Sequence, residues 1–299
     1  MKRWLQCFSV FLVALIFGCG IAYLMLPELA TPRLESLPPD AAQKIDDVRI
    51  EIEVPTVDEV GGWPGDEYPF KLKLINVGSH HGDEVPARNN EKWLGLFKND
   101  GNYVLKSVPV KVKSFHDEIL DDGNLRAKTG KEVSVSGPQR PLFLVKGQTL
   151  PSPSTNIPTL FEGKTWDDIR GPEYADSDLA PDEILTIMTK DFSRSFEIGG
   201  ENYKLTAKLA KNKSGDRILA LTLQSSGITQ ILHTTPFPGD GDGLGTLYWV
   251  GDLDGDAKPD FYMSLFEHYN VGNSVLFLSS KADKDKLVKK VAYFWTTGC

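Results

Sequence analysis

The chain has 299 residues, of which 40% are hydrophobic and 25% are charged, a globular composition that excludes disordered and fibrous classes. Its formal net charge is −8, which argues against nucleic-acid binding through a basic surface. The three cysteines, Cys7, Cys19 and Cys299, lie near the two ends. The body of the chain therefore holds neither an internal disulfide framework nor a cysteine zinc site.

The N-terminus has the pattern of a membrane segment. Two basic residues precede an uncharged run over residues 8–26, close to the roughly 20 residues that span a bilayer. Basic residues before the run place the N-terminus in the cytoplasm and the remainder outside. We therefore expect residues 1–26 to anchor the chain in the inner membrane, with the C-terminal part periplasmic.

Two other N-terminal signals fit the same topology. Residues 16–19 read Ile-Phe-Gly-Cys, which resembles a lipobox, so Cys19 is the alternative anchor as the lipidated first residue of a lipoprotein. An ordinary cleaved signal peptide is the third possibility. In each case the folded part is extracytoplasmic.

The remaining chain predicts a mainly β protein. Proline-rich residues 27–47 predict a linker, and residues 48–150 predict a β domain because apolar residues alternate along several runs. Residues 151–180 predict an irregular linker, and residues 181–299 a second β domain. We expect two sandwich- or barrel-like antiparallel β modules behind the membrane segment.

Three short turn sequences predict hairpins within these domains. Asn99-Asp100-Gly101 separates two apolar runs, as do Gly199-Gly200 and Ser225-Ser226-Gly227. Such residues tolerate the positive φ angles that tight hairpin turns require. No helical period extends beyond about three turns, so local signals favour strands throughout.

An acidic loop is the strongest functional signal. Residues 250–261 read VGDLDGDAKPDF, with carboxylates at loop positions 1, 3, 5 and 9: Asp252, Asp254, Asp256 and Asp260. This spacing can wrap oxygens around one hard cation such as Ca²⁺, with the Lys258 carbonyl as a further ligand. An EF-hand is excluded, because its twelfth position needs glutamate and here is Met263, and because the flanking residues predict strands.

The segment Val250–Phe261 resembles the FG-GAP type of calcium loop, which occurs in integrin-like β-propellers and in many secreted bacterial proteins. The resemblance implies Ca²⁺ bound by Asp252, Asp254, Asp256, the Lys258 carbonyl and Asp260. The family usually has glycine where Ala257 stands; if that position requires a positive φ, alanine costs about 1 kcal/mol. The motif occurs once, whereas propellers repeat their signature, so we do not expect a propeller.

A second motif contains adjacent histidines. Residues 78–84 read GSHHGDE, and His81 with Glu84 resembles the zinc-binding HxxE of carboxypeptidases and aspartoacylases. The resemblance implies a zinc-activated water and a later histidine ligand, for which His116 and His233 are available. An extra histidine interrupts the motif, and the expected alternation of helices and parallel strands is missing. We expect a polar surface turn here.

These features together predict a membrane-tethered extracytoplasmic calcium-binding β protein that acts as a binding or interaction module. Its partner would be a protein or glycan of the cell envelope. One alternative is a zinc-dependent hydrolase that uses His81 and Glu84. The other is an envelope inhibitor or immunity-type protein.

Overall fold

The structure is a computed structural model that describes residues 70–147, 154–163, 187–189, 191–212, 214–237, 245–265 and 271–297. Every regular element in these ranges is a β-strand, which confirms the prediction of a mainly β protein that is not a propeller. Within the same ranges we find no helix of the length and apolarity that crossing a bilayer requires. The predicted membrane segment, Cys19 and the linker over residues 27–47 lie outside the described residues.

The strands of the described part form three antiparallel sheets. In chain order they are β1 (Lys73–Ile75), β2 (Gly78–His80), β3 (Glu91–Asn99), β4 (Asn102–Phe115), β5 (Gly130–Val135), β6 (Leu144–Lys146), β7 (Ser154–Ile157), β8 (Thr159–Glu162), β9 (Ser193–Ile198), β10 (Glu201–Lys211), β11 (Arg217–Ser225), β12 (Ile228–Pro236), β13 (Thr246–Gly251), β14 (Asp260–Ser264), β15 (Val271–Leu278) and β16 (Lys289–Thr297). A seven-stranded sheet has the order β1-β6-β3-β4-β5-β2, with β7 paired to β4. A four-stranded sheet has the order β12-β11-β10-β9, and a five-stranded sheet the order β16-β15-β14-β13-β8.

The three predicted hairpin turns are confirmed. β3 and β4 are joined through Asp100 and Gly101, whose φ angles are 45° and 86°. The turn between β9 and β10 uses Gly199 and Gly200, and the turn between β11 and β12 has positive φ angles at residues 226 and 227. Two consecutive residues with positive φ form a turn whose backbone twist matches the twist of the two paired strands.

The five-stranded sheet is buried on both faces. All residues of β13 and β14 are buried, and strands of this kind have nearly continuous apolar sequences rather than strict alternation. Because successive side chains point to opposite faces, Tyr248 and Tyr262 contribute to one core, whereas Leu247 and Phe261 contribute to the other.

Each face of this sheet packs against one neighbouring sheet. The first core joins it to the seven-stranded sheet through Trp93, Leu96, Leu144, Tyr262 and Phe294, among others. The second joins it to the four-stranded sheet through Phe196, Leu205, Leu221, Phe261 and Tyr293, among others. The five-stranded sheet is therefore the middle layer, and the acidic loop projects from one of its hairpins.

Two strands lie where the sequence predicted an irregular linker. β7 and β8 fall within residues 151–180 and pair with β4 and β13 respectively, so this segment contributes to two sheets. Contacts group Asp47–Cys299 as one compact unit. Much of residues 151–180 lies outside the described residues, and the predicted division of the chain at that segment stays a prediction.

Candidate metal centre and neighbouring cleft

The acidic loop connects two adjacent buried strands of the middle sheet. β13 ends at Gly251, which pairs with Asp260 at the start of β14, so the loop is closed at its base as the sequence predicted. Leu253 is 1% exposed and packs in the first core. This buried leucine fixes the loop against the sheet while the acidic residues on either side face one another.

Asp252 organises the backbone of the loop. Its Oδ1 accepts hydrogen bonds from the amides of Gly255 and Asp256 at 2.8 and 3.0 Å. Its Oδ2 accepts one from the amide of Ala257 at 3.0 Å. Three amides directed at one carboxylate fold the loop back over Asp252 and hold the negative charge in place.

Asp260 is the most deeply buried acid of the loop, with 0% of its surface exposed. Its Oδ2 accepts the Leu253 amide at 2.7 Å, and its Oδ1 accepts the amide and hydroxyl of Ser279 at 2.8 and 2.9 Å. Burial raises the pKa of Asp260 well above its usual value, and the nearby charge of Asp254 raises it further. This environment disfavours an isolated carboxylate, so it stabilises either the neutral form of the acid or a carboxylate that binds a cation.

Three carboxylates converge at this point. Asp252, Asp254 and Asp260 each place an oxygen within 4.8 Å of the others. Asp254 Oδ2 accepts a hydrogen bond from Ser280, whereas its Oδ1 is buried and has no hydrogen-bond partner among the described residues. Burial raises the pKa of Asp254, as do the charges of Asp256 and Asp252. Mutual repulsion and an unpaired buried oxygen fit a site for a cation.

Asp256 takes a different position from the other three acids. Its carboxylate accepts the Ser279 hydroxyl at 3.0 Å and the Lys258 amide at 3.0 Å, and it is not part of the cluster of three. Lys258 is exposed. The assignments of Asp256 and the Lys258 carbonyl as metal ligands stay predictions.

Two serines beside the acidic loop were not identified from the sequence. Ser279 and Ser280 follow β15, which pairs with β14 so that Phe277 lies opposite Phe261. This antiparallel register brings the end of β15 to the start of β14, where Asp260 lies. The two serines after the apolar run Val275–Leu278 point to the acidic loop only when β15 is paired with β14, and the sequence did not predict that pairing.

Ala257 stands where the FG-GAP family usually has glycine, and its backbone has the positive φ angle that makes alanine unfavourable there. Its φ is 59°, and the preceding glycine of the loop, Gly255, has a φ of 80°. The β9–β10 turn lies against this residue, since a Cβ built on Gly199 would be 2.6 Å from the Ala257 carbonyl oxygen. The loop therefore holds an alanine in a conformation that costs L-residues about 1 kcal/mol or more.

The second sequence motif lines a cleft of about 870 Å³ between the seven-stranded and five-stranded sheets. His81, Glu84 and His116 all border it, but they do not form one of the clusters of potential metal ligands in the described residues. Glu84 is 4% exposed. Its Oε1 accepts the amide and hydroxyl of Thr297 at 2.6 and 2.8 Å, and its Oε2 accepts the His81 amide at 3.0 Å.

Glu84 therefore links the backbone of the histidine turn to β16, and it does not contact the His81 ring through a hydrogen bond in the described residues. The ring is bonded to Asp117, whose Oδ2 lies 2.5 Å from His81 Nδ1. Burial by itself lowers the pKa of His81, but the Asp117 hydrogen bond and nearby carboxylates outweigh it and raise the pKa. Burial raises the pKa of Asp117, but its hydrogen bonds from His81, Leu120 and Ile119 lower it overall. No motif in the sequence links His81 to Asp117, which lies 36 positions away along the chain.

The loop over residues 116–129, between β4 and β5, is held from within by two buried acids. Asp117 Oδ1 accepts two backbone amides of the loop at 3.1 Å, and Asp121 accepts the amide and hydroxyl of Thr129 at 2.9 Å. The large hydrophobic residues exposed in the described part of the chain all lie on this loop: Ile119 at 51%, Leu120 at 55% and Leu125 at 90%. We call this segment the apolar loop.

Comparison with known proteins gives no match: no family model, no curated protein and no solved structure is significantly similar to the chain.

Proposed function

We propose that this protein is a membrane-tethered extracytoplasmic calcium-binding β protein that acts as a binding or interaction module. The acidic loop, in the predicted C-terminal module over residues 181–299, would hold one Ca²⁺. The apolar loop would contact a partner in the cell envelope. The observation that carries the proposal is the convergence of Asp252, Asp254 and Asp260, together with a buried oxygen of Asp254 that has no hydrogen-bond partner in the described part of the chain.

The donor chemistry favours calcium over other metals. All converging groups are carboxylate oxygens, and among the residues that the structure describes no histidine or cysteine belongs to the cluster. Hard oxygen ligands select Ca²⁺ or Mg²⁺ over zinc and copper. Calcium accepts six to eight oxygens in flexible geometry, whereas magnesium demands an octahedron and dehydrates reluctantly. An irregular loop that supplies ligands from one short segment therefore favours calcium.

The test is thermal unfolding of the full-length chain in detergent, with chelator and with calcium. Extracellular modules bind calcium at about 10⁻⁴–10⁻³ M, so 10 mM calcium at about 100 times a 10⁻⁴ M dissociation constant adds roughly 2.7 kcal/mol of stability. Asp254→Ala should abolish this calcium-dependent increase. In chelator the variant should be no less stable than wild type, because it removes repulsion with Asp252 and Asp260.

An exposed aspartate provides the matched control. Asp283 pairs with Lys289 on the surface, with 69% of its side chain exposed, and Asp283→Ala should keep the full response to calcium. Magnesium at the same concentration should stabilise wild type less. Identical wild-type melts in chelator and calcium, with no calcium heat in calorimetry, would refute the calcium site.

The interaction role is supported by the apolar loop. Its backbone is already ordered by Asp117 and Asp121, so little conformational entropy remains to be lost on binding. Clustered exposed apolar side chains commonly mark interaction sites. A rigid loop with an apolar tip favours a protein partner over a glycan, and it also suits the alternative of an envelope inhibitor.

Substitution at the tip of the loop tests this role. Leu125→Ser should weaken recovery of a specific partner from envelope extracts while leaving the melting temperature nearly unchanged, because Leu125 is 90% exposed. Thr229→Ala, on the distant β12 strand, is the control and should retain the partner. Equal recovery by wild type and Leu125→Ser would remove the apolar loop from the proposal.

The membrane tether is tested on the N-terminal segment. The full-length chain should sediment with membranes, and its C-terminal part should be digested by protease added from the periplasmic side. Cys19→Ala should stay in the membrane fraction if residues 8–26 form the anchor. Metabolic labelling of Cys19 with a fatty acid would replace the anchor with the lipoprotein alternative.

A further inference from the structure

The cleft between the two larger sheets lies apart from the acidic loop and is built from distant segments. Asn76 and His80 enter it from the first sheet, and Tyr262, Asn273 and Ser274 enter it from the middle sheet. The Tyr262 hydroxyl donates to Asn76 Oδ1 at 2.7 Å, and Asn76 Nδ2 donates to Ser274 at 3.1 Å. A volume of about 870 Å³ lies within the range of small-molecule sites, and these polar side chains are fixed on its wall by their hydrogen bonds.

His81 and Asp117 form a fixed pair on the wall of this cleft. Asp117 is 4% exposed, and its Oδ1 is occupied by the amides of Ile119 and Leu120. Its other oxygen contacts His81 Nδ1 at 2.5 Å. An ionised carboxylate can only accept hydrogen bonds, so Nδ1 carries the proton and Nε2 carries the lone pair of the neutral ring.

The backbone of His81 is fixed as well. Its amide donates to Glu84 Oε2 at 3.0 Å, and Glu84 in turn binds Thr297 of β16. Both the backbone and the ring of the histidine are thus held by buried carboxylates. The contact of Nδ1 with a buried carboxylate is the arrangement that orients a catalytic histidine, and the bond to Glu84 holds the backbone that carries the ring.

We propose that this cleft is a hydrolytic site in which His81, oriented by Asp117, is the general base that activates water against a carboxylic ester. His81 Nε2 takes a proton from water as the water oxygen bonds to the ester carbonyl carbon. The ester C–O bond then breaks, and the imidazolium returns the proton to the leaving alkoxide. Ester and water give carboxylic acid and alcohol, with no net change at His81.

The polar composition of the cleft suits this step. Arg140 borders the cleft, and its Nη2 donates to the Val77 carbonyl oxygen at 2.6 Å. Its permanent positive charge favours the oxyanion of the tetrahedral intermediate. An ester suits a site with a single base because the imidazolium can protonate an alkoxide leaving group directly.

The proposed hydrolysis does not depend on calcium, since none of the acids of the acidic loop lines the cleft.

The probe is p-nitrophenyl acetate, with the full-length chain and with free imidazole at equal concentration. General-base catalysis by a positioned side chain contributes about 10²–10⁴-fold, so His81→Gln should lower the rate by about 100-fold or more. Wild type should exceed free imidazole, whereas the variant should fall to the level of free imidazole or below. The rate should be the same in chelator and in calcium, which separates failure of this site from failure of the calcium site.

Asp117→Asn tests the orienting role without removing the loop support. Asparagine keeps an oxygen for the amides of Ile119 and Leu120, but its NH₂ donates to His81 Nδ1 and moves the ring proton to Nε2. The rate should fall through a lower kcat. At a pH above the His81 pKa, ¹⁵N NMR should show the Nδ1–H tautomer in wild type and the Nε2–H tautomer in the variant. Asp283→Asn is the matched control and should retain activity, because Asp283 pairs with Lys289 on the surface and does not line the cleft.

Four results would overturn the proposal. Three are a wild-type rate no greater than that of free imidazole, a His81→Gln variant with the wild-type rate, and an Nε2–H tautomer in wild type. The fourth is a rate that disappears with chelator, which would assign hydrolysis to a metal instead. Near-ultraviolet circular dichroism of each variant separates lost chemistry from lost folding.

Discussion

Replacing Ala257 with glycine should stabilise this protein, although glycine in place of alanine usually destabilises. Ala257 has a φ of 59°, and its amide donates to Asp252 Oδ2 at 3.0 Å. The conformation therefore cannot relax without losing a hydrogen bond to a buried acid. Glycine adopts this region without the steric contact that Cβ makes with the following carbonyl oxygen.

The magnitude follows from two opposing terms. Relief of the left-handed conformation is worth about 1–2 kcal/mol, and the greater freedom of glycine in the unfolded chain costs about 0.4–1 kcal/mol. The net gain in unfolding free energy is therefore about 0–1.6 kcal/mol, with a centre near 0.8 kcal/mol. At that central value the melting temperature of a domain of this size rises by about 2–3 °C.

The assay is thermal unfolding in chelator, with Ala282→Gly as the matched control. Ala282 lies on the neighbouring β15–β16 turn and does not have a positive φ, so this variant should lose stability by about 0.4–1 kcal/mol. The two substitutions make the same chemical change and should shift the melt in opposite directions. A melting temperature for Ala257→Gly that falls as much as for Ala282→Gly would refute the reasoning.

Three further changes test the packing and electrostatics of the fold. Gly199→Ala should destabilise by more than 1 kcal/mol in thermal melts, because its φ is 61° and the new Cβ would lie 2.6 Å from the Ala257 carbonyl oxygen. Glu84→Ala should lower the urea midpoint by an amount equivalent to about 1–3 kcal/mol, because it leaves the Thr297 amide without its acceptor. Burial alone would raise the pKa of Glu91, but hydrogen bonds from Lys146, Arg88 and Trp93 lower it to about 2. Its stabilisation is complete above the unfolded pKa near 4.5 and is lost as the pH falls to about 2, so Glu91→Gln should flatten the dependence of the urea midpoint on pH in that window.

The hairpins and the acidic loop are local features, and the sequence alone predicted them. Asp100-Gly101 and Gly199-Gly200 specify their turns because positive φ is a property of those residues themselves. The strands on either side of VGDLDGDAKPDF are likewise readable from short apolar runs. The convergence of acids within twelve residues follows from one loop closing on itself.

The layering of the sheets depends on contacts that no short segment contains. The apolar runs of β13 and β14 indicate burial, but only tertiary packing shows that both faces are covered by different sheets. β7 has the sequence Ser-Thr-Asn-Ile, which lacks an apolar alternation, and it becomes a strand because the edge of β4 is available to it. Backbone pairing of this kind does not require a strong side-chain signal.

The two candidate sites differ in the same way, because one is formed by a short local segment and the other by segments that are distant in the chain. The acids of the acidic loop lie within one short run of consecutive residues, whereas His81 contacts Asp117 across 36 positions and Glu84 contacts Thr297 across 213. The sequence motif paired His81 with Glu84 because they are neighbours in the chain. The fold instead turns Glu84 toward β16 and brings the β4–β5 loop to the imidazole, since a buried carboxylate binds the donors that tertiary packing places within its reach.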